Sequence, residues 1–175
     1  MKASNVVLIG MPGSGKSTVG VLLAKRLGLG FTDTDLVIQQ QQGRTLQAIV
    51  DGAGYQALRG IEEQVLMELA VHDQVISTGG SAVYSESAMA HLGQDGVVVF
   101  LDIPHTEVRR RIGDFSLRGI SRHPEQSLDD LFEERFALYT GCADLTIHGD
   151  GKHPEQVCDD IAAALAGSDR FGTPV

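Results

Sequence analysis

A chain of 175 residues, 42% hydrophobic and 21% charged, lies near the average for a globular domain and is long enough to bury a core. Its net charge of −9, with no basic stripe, speaks against a nucleic-acid partner. Apolar runs fall short of the ~20 residues needed to span a bilayer, and the pair Cys142 and Cys158 gives neither a disulfide framework nor a metal cluster.

Residues 6–9, Val-Val-Leu-Ile, predict a buried strand running into a glycine-rich segment, with no leader before it. The expectation is a cytoplasmic protein without membrane contact, its cysteines serving as packing residues. Residues 18–27 show helical spacing, with Val19, Leu22, Leu23 and Leu27 on one side, until Gly28 and Gly30 stop them. A short strand at 31–32 enters Asp33-Thr34-Asp35. Helices are predicted over 36–42, 46–50 and 55–71, broken by Gly43 and by Gly52-Ala53-Gly54.

A strand at 74–78 runs into Gly79-Gly80, and the most apolar strand covers 97–103. Helices at 106–112 and 128–139 flank a polar stretch holding Gly113, Gly119 and Pro124. A strand at 145–147 and a helix at 154–166 precede a tail without pattern. Strands alternating with helices, and apolar on both faces, imply an α/β fold: a short parallel sheet of about five strands with helices on both faces. The expected organisation is one domain over residues 1–167 and a flexible tail at 168–175.

Gly10-Met11-Pro12-Gly13-Ser14-Gly15-Lys16-Ser17 satisfies the pattern G-x-x-x-x-G-K-[ST]. Glycines let backbone N–H groups curl around phosphate oxygens, and the following helix aims its positive N-terminal end at the same anion. Lys16 reaches the outer phosphates and Ser17 can ligate Mg²⁺. An apolar strand before it and an amphipathic helix after it supply the context such a loop requires. Asn-Lys-x-Asp, the guanine-reading segment of a GTPase, is missing, so a small kinase of metabolites fits better than a switch protein.

Further motifs follow in order: Asp33-Thr34-Asp35, Leu58-Arg59-Gly60-Ile61-Glu62, Thr78-Gly79-Gly80, residues 111–118, and Arg135-Phe136-Ala137-Leu138-Tyr139. With the loop at 10–17 they resemble the shikimate kinase family over nearly the whole chain. The resemblance implies a three-layer P-loop kinase that uses ATP and Mg²⁺, with acceptor-binding helices over about 34–62 and a mobile lid over about 113–126. It implies nucleotide contacts from Gly13, Ser14, Gly15, Lys16, Ser17, Thr18, Arg111, Arg118 and Lys152, with Pro154 beside Lys152. Ser17 and Asp33 would serve the metal, and Lys16, Asp35 and Arg118 the reaction. Asp35, Arg59, Gly80, Ser81 and Arg135 would hold the acceptor, with Glu62 orienting Arg59 toward a carboxylate. A guanidinium fork suits that role because it donates two parallel hydrogen bonds to one carboxylate.

Each assignment has a plainer rival. Asp-x-Asp alone is more often a solvated turn or helix cap, and the plainer reading of Arg59 with Glu62 three residues on is a surface ion pair worth under ~1 kcal/mol. An ordinary Asp, with a pKa of about 3.9, is too acidic for strong base catalysis, which makes aligning the acceptor hydroxyl the expected role of Asp35. Asp102 ends a strand that looks like a Walker-B element, yet it is expected to be structural, and His123 to be solvated.

Two departures stand out: Ser81 where the family shows a third glycine, and Gly119 after Arg118 where it shows proline. Glycine there would loosen a lid that proline stiffens. These leave open another small hydroxy-carboxylate acceptor of gluconate type, and, further off, a non-catalytic nucleotide-binding regulatory protein. A monomer is expected.

Overall fold

The computed structural model describes residues 2–113 and 119–172. Strands β1 (Asn5–Ile9), β2 (Gly30–Asp33), β3 (Gln74–Ser77), β4 (Gly96–Asp102) and β5 (Leu145–His148) form one sheet in the order β2-β3-β1-β4-β5. Every pairing is parallel, with Val7 opposite both Ile76 and Val98. Eight helices follow among the described residues: α1 (Lys16–Leu27), α2 (Thr34–Gln42), α3 (Leu46–Ala53), α4 (Tyr55–Glu68), α5 (Glu86–Gln94), α6 (His105–Ile112), α7 (Leu128–Cys142) and α8 (Pro154–Ala166). A 3-10 turn spans Ala82–Tyr84.

The alternation of side chains along β1 explains the three layers. Val6 and Leu8 pack with Val19 and Leu23 of α1 and with Ile161 of α8. Val7 and Ile9 face the other way, onto Leu66 of α4, Leu92 of α5, Val108 of α6 and Leu131 of α7. All five β1 residues are buried, which is why this strand reads as an unbroken apolar run. Deleting one of these side chains, as in Leu23→Ala, would cost about 2–5 kcal/mol. Ile38, Ile49, Leu58 and Val65 form a separate cluster that joins α2, α3 and α4.

The α/β architecture and the five parallel strands agree with the sequence reading, with two differences. Helix α5 was not expected, although Ser85 caps it by accepting from Ala88 N–H and Ala88, Met89 and Leu92 give it a buried face. Helix α4 stops at Glu68 rather than at 71, because Leu69 turns to extended geometry and the Val71 carbonyl is taken by Asn5 Nδ2 at 2.7 Å. No described helix is long and apolar enough to cross a membrane. Since β3 and β4 both flank β1, the carboxyl ends of the strands open a crevice where the order of connection reverses.

Candidate active site

That crevice holds the loop between β1 and α1. Gly15 caps α1 in a left-handed conformation, φ 98°, so the first N–H groups of the helix face the loop interior. The buried Lys16 ammonium donates to the carbonyls of Gly10 at 2.8 Å and Met11 at 2.9 Å. Burial lowers its pKa to about 8, against the opposing pull of Asp35.

Two cavities meet at the loop. One, of about 370 Å³, runs from Gly13 and Thr18 between Arg111 on one side and Lys152 with Pro154 on the other, over Ile147. Arg111 is steadied by Glu107 at 2.6 Å and reaches the Ser14 carbonyl at 3.4 Å, and Lys152 pairs with Asp160 at 2.7 Å. A slot with apolar side chains ending at a phosphate loop, with a guanidinium on its wall, has the chemistry of a nucleotide site. All the expected nucleotide residues within the described chain lie in or beside it; Arg118 is outside the described residues.

The other cavity, of about 290 Å³, shares Gly13, Gly15 and Thr18 with the first, holds Lys16 and Ser17, and is closed by Asp35, Glu62 and Arg135. Ser17 Oγ donates to Asp33 Oδ2 at 2.6 Å and lies 3.3 Å from Ser77 Oγ. The second oxygen of Asp33 caps α2, accepting from the N–H groups of Asp35 at 3.0 Å and Leu36 at 3.4 Å. The helix cap, the plainer rival in the sequence, is therefore present on one oxygen, while the other contacts the phosphate loop. Among the described residues no group of three or more His, Cys, Asp or Glu could hold a metal by itself. One hydroxyl and one carboxylate beside a phosphate loop suit Mg²⁺, which takes few protein ligands and completes its shell with phosphate oxygens and water.

Asp35 and Glu62 stand together: a Cβ on Gly79 would lie 2.2 Å from Glu62 Oε1 and 2.7 Å from Asp35 Oδ1. Only glycine fits between them, and the Gly79 N–H is taken by the buried Thr34 hydroxyl at 3.2 Å. Burial raises the pKa of Asp35, opposed by Lys16, and raises that of Glu62 to about 7, opposed by a hydrogen bond from Ser81. Asp35 is thus a better proton acceptor than an ordinary aspartate.

The expected ion pair of Arg59 with Glu62 is not formed. Glu62 Oε2 accepts from the Ser81 hydroxyl, while Arg59 Nε donates to Ser121 Oγ at 2.9 Å and its guanidinium lies 3.6 Å from the centre of the Tyr84 ring. Arg135 is 1% exposed and donates to the Ser121 carbonyl at 2.6 Å, and Arg59 reaches the same oxygen at 3.3 Å. Two arginines therefore converge on one carbonyl oxygen. Among the described residues the Nε of Arg135 is buried without a partner, as is Glu62 Oε1. Arg59 lines an adjoining cavity with Tyr84 and Ser81 rather than the one that holds Asp35.

Ser81 sits at φ −95°, which any residue adopts, so its side chain causes no backbone strain. Gly119 does the opposite of loosening. Its φ is +59°, its N–H donates to Gln47 Oε1 at 2.6 Å, and an added Cβ would lie 2.5 Å from Gln47 N. Proline, fixed near φ −65°, has no place there. Asp102 takes His148 at 2.8 Å and lines neither cavity, and His123 is exposed, both as expected.

Gln47, Tyr84 and Ser121 were not singled out from the sequence, and no local pattern marks them. Tyr139 had a signal, one turn after Arg135 on α7; its hydroxyl donates to the Gly80 carbonyl at 2.7 Å and fixes the glycine segment against that helix.

A phosphate loop at the end of the central strand, opening on a cavity of paired carboxylates and buried arginine, defines a P-loop phosphotransferase acting on a small polar molecule. The family model for shikimate kinase matches residues 12–166. A shikimate kinase of Mycobacterium marinum is 43% identical over 141 residues, covering 78% of this chain and 76% of that one. The structure of a shikimate kinase from Acinetobacter baumannii in complex with shikimate superposes with TM-score 0.87 at 32% identity, covering 95% of both chains. That of Aquifex aeolicus gives 0.82 at 36%, over 96% of this chain and 99% of that one. The chain belongs to the shikimate kinase family and is an ATP-dependent small-molecule kinase.

Proposed function

We propose that the chain transfers the γ-phosphoryl group of ATP to a hydroxyl of shikimate, giving shikimate 3-phosphate and ADP. The observation that carries this reading is the 290 Å³ cavity in which the phosphate loop, Asp35 and the partnerless Nε of buried Arg135 share one wall system. A small molecule bearing both a hydroxyl and a carboxylate would satisfy those groups together, and a relative of this family is solved with shikimate bound.

Lys16 and the loop N–H groups hold the phosphates, leaving the γ-phosphorus open to in-line attack. Asp35 aligns the acceptor hydroxyl. As its oxygen bonds to the γ-phosphorus, the bond to the bridging oxygen breaks, ADP leaves, and the proton passes to Asp35. Arg135 takes the acceptor carboxylate, joined by Arg59 once the Ser121 carbonyl gives way, and Gly80 and Ser81 form the floor beneath. Arg118 keeps the role that the resemblance implies, contact with the transferred phosphate. Ser17 and Asp33 would hold Mg²⁺, which when bound neutralises charge on the β- and γ-phosphates. A monomer acting in the cytoplasm is part of the same proposal.

The test is a coupled ADP assay over a panel of acceptors. Shikimate should be turned over far better than gluconate-like acids, since a hydrogen-bonding pocket discriminates by ~10⁴ or more against a mismatched analogue. Strong turnover of another acid with negligible turnover of shikimate would overturn the reading. A protein that bound ATP and phosphorylated none of them would point to a regulatory role.

A further inference from the structure

Glu62 is a buried carboxylate, 3% exposed, with only one oxygen satisfied. Its Oε2 is held by the Ser81 hydroxyl. Among the described residues Oε1 has no donor, Glu62 lines the same cavity as Asp35, and oxygens of both carboxylates crowd the Cβ position of Gly79. Arg59, the obvious cation one turn back on α4, is committed to Ser121 and Tyr84. A buried carboxylate oxygen left without a donor is costly, so a donor belongs there. The nearest wall already holds the oxygen that aligns the reacting hydroxyl.

We propose that Ser81 is a positioning residue: through its hydrogen bond to Oε2 it holds Glu62 so that Oε1 accepts from a second hydroxyl of the acceptor, next to the one aligned by Asp35. This rests on the shikimate reading above, since shikimate carries hydroxyls on adjacent ring carbons. The residue at this position therefore sets how strictly the enzyme demands a vicinal hydroxyl. Charged and titratable groups face Glu62 from several elements: Asp35 on α2, Lys16 on α1, Arg135 and Tyr139 on α7, Tyr84 on the 3-10 turn, and Arg59 on its own helix. Glu62 must be ionised to accept this hydrogen bond. The Ser81 bond favours that form, so losing it raises the pH needed.

The experiment compares wild type with Ser81→Ala, Ser81→Gly and Ser81→Thr, at saturating ATP, using shikimate and analogues in which one hydroxyl at a time is replaced by hydrogen. Expected is a rise in KM for shikimate of roughly tenfold in Ser81→Ala and Ser81→Gly, with kcat changed less and KM for ATP unmoved, as for loss of one hydrogen bond. Ser81→Thr should restore KM. One analogue should be poor for wild type and lose its disadvantage in Ser81→Ala, and the acid limb of kcat/KM for shikimate should move to higher pH in that variant.

An unchanged KM and acid limb in both hydroxyl-free variants would overturn the proposal while leaving the shikimate reading intact. So would an analogue penalty equal in wild type and Ser81→Ala, or an equal rise in KM for ATP, which marks general damage. Absence of shikimate turnover in wild type would overturn both.

Discussion

The nucleotide half and the acceptor half of the site meet at Gly13, Gly15 and Thr18 of the phosphate loop but are built in different ways. The first is a product of consecutive residues: strand β1, six intervening positions and a helix start, with the backbone itself as the binding surface. The second is assembled from α2, α4, α7, the Gly79–Ser81 segment and the stretch at 119–121, all brought together by the fold. A surface made of backbone tolerates changes in side chains around it, whereas one made of side chains depends on each partner. The two halves should therefore fail differently when perturbed.

Lys16→Met tests the loop at which the halves meet and should have the largest effect. Turnover should fall by about 10²–10³-fold or more, as when a preorganised electrostatic contact is removed. The melting temperature should hold or rise, because the ammonium is buried in the loop at a desolvation cost. A steady-state assay beside a thermal melt checks both. Activity within tenfold of wild type would mean that the loop does not carry the reaction.

Arg135→Gln separates the halves. The side chain is buried, donates to the Ser121 carbonyl and lies 5.4 Å from the Tyr84 ring. Loss of a charged hydrogen-bond donor there should destabilise the fold by about 1.5–3 kcal/mol and lower kcat/KM for shikimate about 10²-fold, with KM for ATP unmoved. Equal damage to both substrates would show that the two cavities do not act separately.

A pH series sharpens the comparison at smaller amplitude. Lys16 is charged below about 8 and neutral above it, and phosphates favour the charged form. ATP binding should thus take up protons near pH 8, and KM for ATP should rise toward tenfold per unit beyond it. KM for shikimate should follow Glu62, pushed up to about 7, and Asp35, which burial also raises, and should increase as pH falls through the point where Glu62 takes up a proton. A single profile shared by both substrates would contradict this division.

The same contrast explains what the sequence disclosed. Residues 10–17 were legible because the motif is contiguous and each position has a backbone or phosphate reason. Asp35, Arg59 and Arg135 were singled out through resemblance, but their partners were not. Nothing local in an irregular polar stretch shows that the Ser121 carbonyl gathers two arginines, nor that Ser81 takes Glu62 from Arg59. Gly119 was read as a source of freedom because φ is invisible in sequence. Contact with Gln47 makes glycine obligatory instead.

Lys152 marks the outer limit of the nucleotide half. It lines the slot opposite Arg111, yet its ammonium is spent on Asp160 at an exposed site, with 38% and 42% of the two side chains accessible. An exposed pair of this kind is worth about 0–1 kcal/mol, and the slot wall at this point is shared with Pro154 and Val157. Lys152→Ala should therefore raise KM for ATP by no more than about threefold, leave kcat and KM for shikimate unchanged, and shift stability by under about 1 kcal/mol. A tenfold rise in KM for ATP would show that the ammonium leaves Asp160 for the nucleotide, and that this half too depends on a side chain delivered from afar.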